Sequence, residues 1–131
     1  SIKLTYEGLN HRFYEKKSKE FNSPAFNFDE VTTVPFDSIH LASNEVNKIQ
    51  GLQFNSGISE VWGLQYHPEI TYEKMISIIK FRKNRLINDR KRFKDEDEIE
   101  NHVNSIEKEI EVSDKESRMI ELKNWLNSLI N

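Results

Sequence analysis

Three short apolar-rich runs, Ile39 to Ser43, Asn47 to Asn55 and Val61 to Tyr66, are separated by only a few residues each. A parallel crossover needs a dozen or more residues, so strands joined this closely have to pair antiparallel. Between the runs stand Asn44-Glu45 and Asn55-Ser56-Gly57, residue types that favour turns. In the middle run Lys48, Gln50 and Gln53 mix with Ile49, Leu52 and Phe54, which fits a sheet with one wetter face. A β-meander over residues 39–66 is the expectation.

The last run leads into Val61-Trp62-Gly63-Leu64-Gln65-Tyr66-His67-Pro68-Glu69-Ile70. Side chains two apart on an extended segment point to the same side. Pro68 has a fixed φ and biases the residue before it toward β. His67 and Glu69 are therefore expected to project together from a stiff strand end, with the carboxylate in reach of the ring. A carboxylate bonded to one ring nitrogen fixes the tautomer and leaves the other free to trade a proton with a nucleophile. Taken alone, the two residues favour a plainer reading, a strand-end histidine paired with an acid for stability.

The segment Gly63-Leu64-Gln65-Tyr66-His67-Pro68-Glu69 resembles the Gly-x-Gln-x-His-Pro-Glu signature of class I glutamine amidotransferases. Asp29-Glu30-Val31 followed by Pro35, then Leu41-Ala42-Ser43-Asn44, then Ile49-Gln50-Gly51-Leu52, fall in the order of the GMP synthase-like, stand-alone members. Arg118 to Leu129 resembles their last helix. The resemblance covers most of the chain but only the C-terminal half of that family's domain. It implies the later part of a flavodoxin-like α/β domain, which in isolation would look α+β, with strands over residues 1–70 and helices over 71–131. It implies a Cys-His-Glu triad in which His67 and Glu69 are the histidine and glutamate, glutamine is the substrate, and no metal or organic cofactor is needed. It places Asn27 and Phe28 in the neighbourhood that holds the substrate, although Asn27 stands where relatives usually carry histidine. The same triad serves γ-glutamyl peptide hydrolases, and the sequence does not separate the two.

The sequence contains no cysteine. In the family the nucleophile sits in a Gly-x-Cys-x-Gly turn upstream of the His-Pro-Glu motif, in a part of the domain that these residues do not include. The chain by itself is therefore expected to be inactive as a glutaminase. Its implied partner is the missing N-terminal half, and a half-domain leaves sheet edge and apolar surface uncovered, so self-association is expected as well. The alternative is a non-catalytic interaction module on the same scaffold. A start without Met that runs straight into a strand pattern fits a truncated or processed product.

Elsewhere the chain is read from its spacing. Ile2, Leu4 and Tyr6 alternate against Lys3 and Thr5, a short strand closed by Gly8 and Asn10. His11 to Ser23 reads as a charged loop with His11 solvated, and Ala25 to Val34 as a strand bounded by Pro24 and Pro35. Thr71 suits an N-cap for a helix from Tyr72 to about Arg92, whose apolar face (Tyr72, Met75, Ile76, Ile79, Leu86, Ile87) is expected to pack on the sheet and steady the His67 loop. Ile99, Val103, Ile106 and Ile110 mark a second helix with His102 exposed. Ser113 and Glu116 match a capping box for a third, with Met119, Leu122, Leu126 and Leu129 facing inward.

Charge and composition exclude several classes. Basic residues from Lys80 to Lys94 are followed by Asp95, Glu96, Asp97, Glu98 and Glu100. The net charge is −3 and no aromatic platform interleaves the arginines, so a solvated helix face is favoured over nucleic-acid binding. The acidic block lacks calcium-loop spacing and is read as helix N-terminal charge. No apolar run is long enough to span a bilayer, and no signal architecture opens the chain, so a cytoplasmic location is expected.

Overall fold

A computed structural model describes residues 1–130. The chain forms two compact units, one of Ser1–Glu69 together with the segment from Lys115 onward, the other of Ile70–Asp114. The class is α/β: a five-stranded antiparallel sheet plus several helices.

In the first unit, β3 (Ile39–Ser43), β4 (Gly51–Ser56) and β5 (Ser59–Leu64) form the expected meander. The β4–β5 ladder runs from Gly51 opposite Leu64 to Ser56 opposite Ser59, so only Gly57 and Ile58 lie in the turn. Gly57 has a φ of +60°, the left-handed region in which glycine carries no Cβ penalty, as a tight hairpin with glycine first requires. β1 (Ile2–Leu4) adds beside β3, and β2 (Glu20–Phe21) beside β1, giving the order β2-β1-β3-β4-β5. A helical turn α1 (Tyr6–Leu9), capped by the Thr5 hydroxyl at 2.9 Å from Gly8 N, lies against β3. A Cβ on Gly8 would stand 2.0 Å from the Leu41 carbonyl oxygen, so only glycine permits this approach.

The core of this unit gathers Ile2, Leu4, Phe13, Tyr14, Leu41, Ala42 and Tyr66. Buried side chains of this size each contribute about 1.5–3 kcal/mol. Gln50 is buried too, and neither of its amide atoms finds a hydrogen-bond partner among the described residues.

The second unit is helical. Thr71 caps α2 (Tyr72–Phe81), accepting from Lys74 N at 3.2 Å, and a π-type turn follows at Arg85–Asp89. The single helix expected to about Arg92 is thus interrupted. α3 (Glu96–Val112) opens with Asp95, whose carboxylate accepts from Glu98 N at 2.9 Å, while Glu98 accepts from Lys94 N at 2.6 Å. These bonds satisfy the Glu98 N–H at the helix start and the Lys94 N–H just before it, which accounts for Asp95 and Glu98 of the acidic block. Ile99, Val103 and Ile106 are buried, and the apolar face of α2 packs on α3. Within this unit the partner of that face is therefore a helix, where the sequence pattern pointed to the sheet.

Four further readings are corrected. Residues 25–34 form no strand: they find no ladder partner, and Phe28, Asp29 and Glu30 are exposed. His11 is half-buried, capping a 3₁₀ turn (Arg12–Tyr14) by accepting from Phe13 N at 3.1 Å. His102 is half-buried beside the Phe93 ring, with centroids 5.3 Å apart. The last helix is split into α4 (Lys115–Arg118) and α5 (Ile120–Ile130), Ser113 closing α3 instead. Its inward face carries Glu121, while Leu126 and Leu129 remain 52% and 65% exposed. Met119 and Leu122 of the expected stripe are half-buried, and the face turns toward Glu121 because Lys17 and Tyr66 bond it, partners that no periodicity argument supplies.

Candidate active site

β5 ends at Leu64, and the chain bends at Gln65 and Tyr66 before reaching His67. The Gln65 N–H still bonds to the Gln50 carbonyl at 3.0 Å, and the His67 N–H to the Pro24 carbonyl at 2.8 Å. The backbone before Pro68 is thereby held on both sides, and a turn at Pro68–Glu69, in place of the expected extended segment, brings the side chains at positions 67 and 69 together. His67 Nδ1 lies 2.8 Å from Glu69 Oε1, with the two side chains 38% and 53% exposed. A carboxylate can only accept, so Nδ1 carries the proton and Nε2 is the basic nitrogen of the neutral ring.

A pocket of about 330 Å³ opens against this pair. Its walls include Phe13, Trp62, Leu64, Leu122 and Trp125, with Tyr66 below His67 in sequence. Trp62 is half-buried rather than deep in the core; its indole N–H donates to Glu60 Oε1 at 2.6 Å, and its ring lies 4.9 Å from Phe13 and 5.2 Å from His11. The Arg12 guanidinium stands 4.8 Å from the Trp62 ring centre and bonds Glu60 at 2.6 Å. Burial lowers the pKa of His11 below its ordinary 6.5, more than the Gln53 hydrogen bond and the Glu60 charge raise it.

The segment containing Asn27 and Phe28 runs beside His67. Pro24 supplies the carbonyl noted above, and the Phe26 ring centre is 6.0 Å from the imidazole. Asn27 is half-buried and Phe28 exposed. His40 lies apart from this pair, its Nε2 donating to the Ala42 carbonyl at 2.9 Å.

Spacing alone missed the buried polar group behind the motif. The Tyr66 hydroxyl donates to Glu121 Oε1 at 2.7 Å and shares a 3.0 Å hydrogen bond with the Tyr14 hydroxyl. Lys17 Nζ bonds Glu121 Oε2 at 2.9 Å, the two side chains being 3% and 0% exposed. Burial pushes both tyrosine pKa values up and that of Lys17 down, the last against the opposing pull of Glu121. Periodicity gave no signal of it, since Glu121 lies off the Met119, Leu122, Leu126 and Leu129 stripe among other polar residues of the helix.

Among the described residues, no group of three or more His, Cys, Asp or Glu side chains could hold a metal ion, and no helix is long and apolar enough to cross a membrane.

No family model matches the chain, and no solved structure matches it significantly. Over 70 residues the chain is 36% identical to a γ-glutamyl-L-1-hydroxyisopropylamide hydrolase from a Pseudomonas species, a stretch covering 53% of this chain and 23% of that protein. The match therefore spans about a quarter of the length of that relative. It supports a coarse relationship to the glutamine amidotransferase-like hydrolases.

Proposed function

We propose that this chain is the C-terminal portion of a thiol-dependent amidohydrolase that cleaves γ-glutamyl amides, of which glutamine is the simplest. The observation that carries the reading is the 2.8 Å contact between His67 Nδ1 and Glu69 beside an open pocket. A cysteine thiolate supplied from outside these residues attacks the γ-carbonyl carbon. Nε2 of His67 first takes the thiol proton and then delivers it to the departing nitrogen, while Glu69 holds the ring and stabilises its charged form. A γ-glutamyl thioester results, and water, deprotonated by the same imidazole, releases glutamate and restores the thiol. Asn27 and Phe28, on the segment that passes His67, are proposed to flank the glutamyl group. Neither a metal nor an organic cofactor enters these steps.

With ammonia as leaving group the reaction is the glutaminase half of a GMP synthase-like amidotransferase. A second reading, a hydrolase of larger γ-glutamyl amides, is favoured by the relative's substrate and by the apolar pocket walls Phe13, Trp62 and Trp125. The partners proposed are the N-terminal half of the domain and, through the exposed apolar side of α5, a second copy of the chain. Light scattering at high concentration is expected to show association, and a strictly monomeric species would contradict it. The functional test is a protein joining this chain to a Gly-x-Cys-x-Gly segment encoded upstream. It is expected to release glutamate from glutamine or a γ-glutamyl amide, and to lose the activity on thiol alkylation or in His67→Ala. A joined protein that binds neither substrate and reacts with neither would support the non-catalytic module.

A further inference from the structure

His67 is flanked by two residues that are both tied to the same distant segment. On one side the Tyr66 hydroxyl donates to Glu121, 55 positions further along. On the other, the Arg118 guanidinium donates to the Pro68 carbonyl, 50 positions further along. Glu121 is held in turn by Lys17, which also donates to the Ser117 carbonyl at 2.7 Å. Asn124, one turn on, donates to the carbonyls of Phe13 and Glu15, each at 3.0 Å.

We propose that Glu121 and Arg118 are positioning residues for His67. The inference rests on reading His67 and Glu69 as a triad pair. A side chain's direction is set by the backbone that carries it, and that backbone is fixed when both neighbours are fixed. Glu121 locks the residue before His67 by its side chain, and Arg118 locks the residue after it by its carbonyl. The remaining freedom is the ring's own rotation, which Glu69 removes. A buried ion pair is a costly way to fill a core, since apolar side chains of similar volume often serve stability as well or better. Its placement against Tyr66 is accounted for if what it secures is geometry. A catalytic imidazole needs that geometry held within about half an ångström.

The test reads the tautomer of His67 in the full 131-residue chain. Long-range proton–nitrogen correlation spectra are recorded in alkaline solution, where imidazoles are neutral, and His67→Gln assigns the signal. The wild type is expected to show His67 as Nδ1–H. His11 and His40 serve as internal controls and are expected as Nε2–H, since His11 accepts at Nδ1 and His40 donates from Nε2. In Tyr66→Phe, in Arg118→Met, and in the charge-free double variant Lys17→Met with Glu121→Met, Nε2–H is expected to become the major form of His67 while the controls stay unchanged. If the folded variants keep His67 as Nδ1–H, the segment is only structural and the inference fails while the triad reading stands. If the wild-type ring is Nε2–H, the pairing with Glu69 fails and takes the inference with it. Should one variant not fold, the other two decide between these outcomes.

Discussion

Replacing Glu121 by alanine strips the buried pair of one member. Lys17, 3% exposed at its side chain, is then left without its counter-charge. Breaking a buried pair in this way costs about 3–5 kcal/mol. Lys17 retains the Ser117 carbonyl at 2.7 Å and the Phe21 ring at 4.3 Å, which places the loss near the lower end. Tyr66 also loses an acceptor, adding about 1 kcal/mol, since it still has Tyr14 as a partner. The combined effect, about 4 kcal/mol, is a large share of the 5–15 kcal/mol that typically separates folded from unfolded chains. With a urea dependence of about 2 kcal/mol per molar, the unfolding midpoint falls by about 2 M. Both tryptophans, Trp62 and Trp125, lie in the unit that contains Glu121, so their fluorescence follows its unfolding. The Lys17→Met, Glu121→Met double variant leaves no charge behind and is expected to lie within about 1 kcal/mol of wild type. A midpoint in Glu121→Ala that moves by less than about 0.3 M, or a double variant as unstable as the single one, would refute the reasoning.

Two further predictions concern the core and the acid range. Gln50→Met removes a buried amide that has no partner among the described residues, so it is expected to raise stability by about 1–2 kcal/mol in urea titrations, and a fall would show that the amide is satisfied in solution. Burial holds the pKa of His102 below 6.5, so in the interval between the two values the unfolded chain binds more protons than the folded one. Stability from this group is therefore complete above pH 6.5 and is lost as the pH falls toward the lowered value; His102→Gln is expected to weaken that acid dependence when unfolding is followed by circular dichroism, and an unchanged dependence would contradict it.

The meander was legible because its connections were too short for any other pairing, and Gly57 marked its tightest turn. The pairing of His67 with Glu69 was legible from their closeness in sequence, but by another route than the one expected: a turn at Pro68–Glu69, not an extended strand end, brings the two side chains together. Ile99, Val103 and Ile106 likewise announced the buried face of α3. What failed did so for long-range reasons. Ala25 to Val34 has the composition of a strand, but a strand exists only where a neighbouring edge accepts it. Of the stripe expected to face inward on the last helix, Met119 and Leu122 are half-buried but Leu126 and Leu129 are exposed, because a stripe argument sends charge to water. Glu121 is buried by Lys17, 104 positions away, and by Tyr66, whose hydroxyl is invisible to any apolar pattern. The contact between His67 and Glu69 was therefore written locally, while the bonds from Arg118 and Glu121 to its neighbours were not.

The central claim is that His67 and Glu69 are two members of a three-residue machine whose thiol comes from elsewhere. It is tested most directly by measuring glutamate release from glutamine and from a γ-glutamyl amide by the purified 131-residue chain. The account predicts none above the buffer rate. Release that disappears in His67→Ala would show a complete catalyst without cysteine and would contradict it.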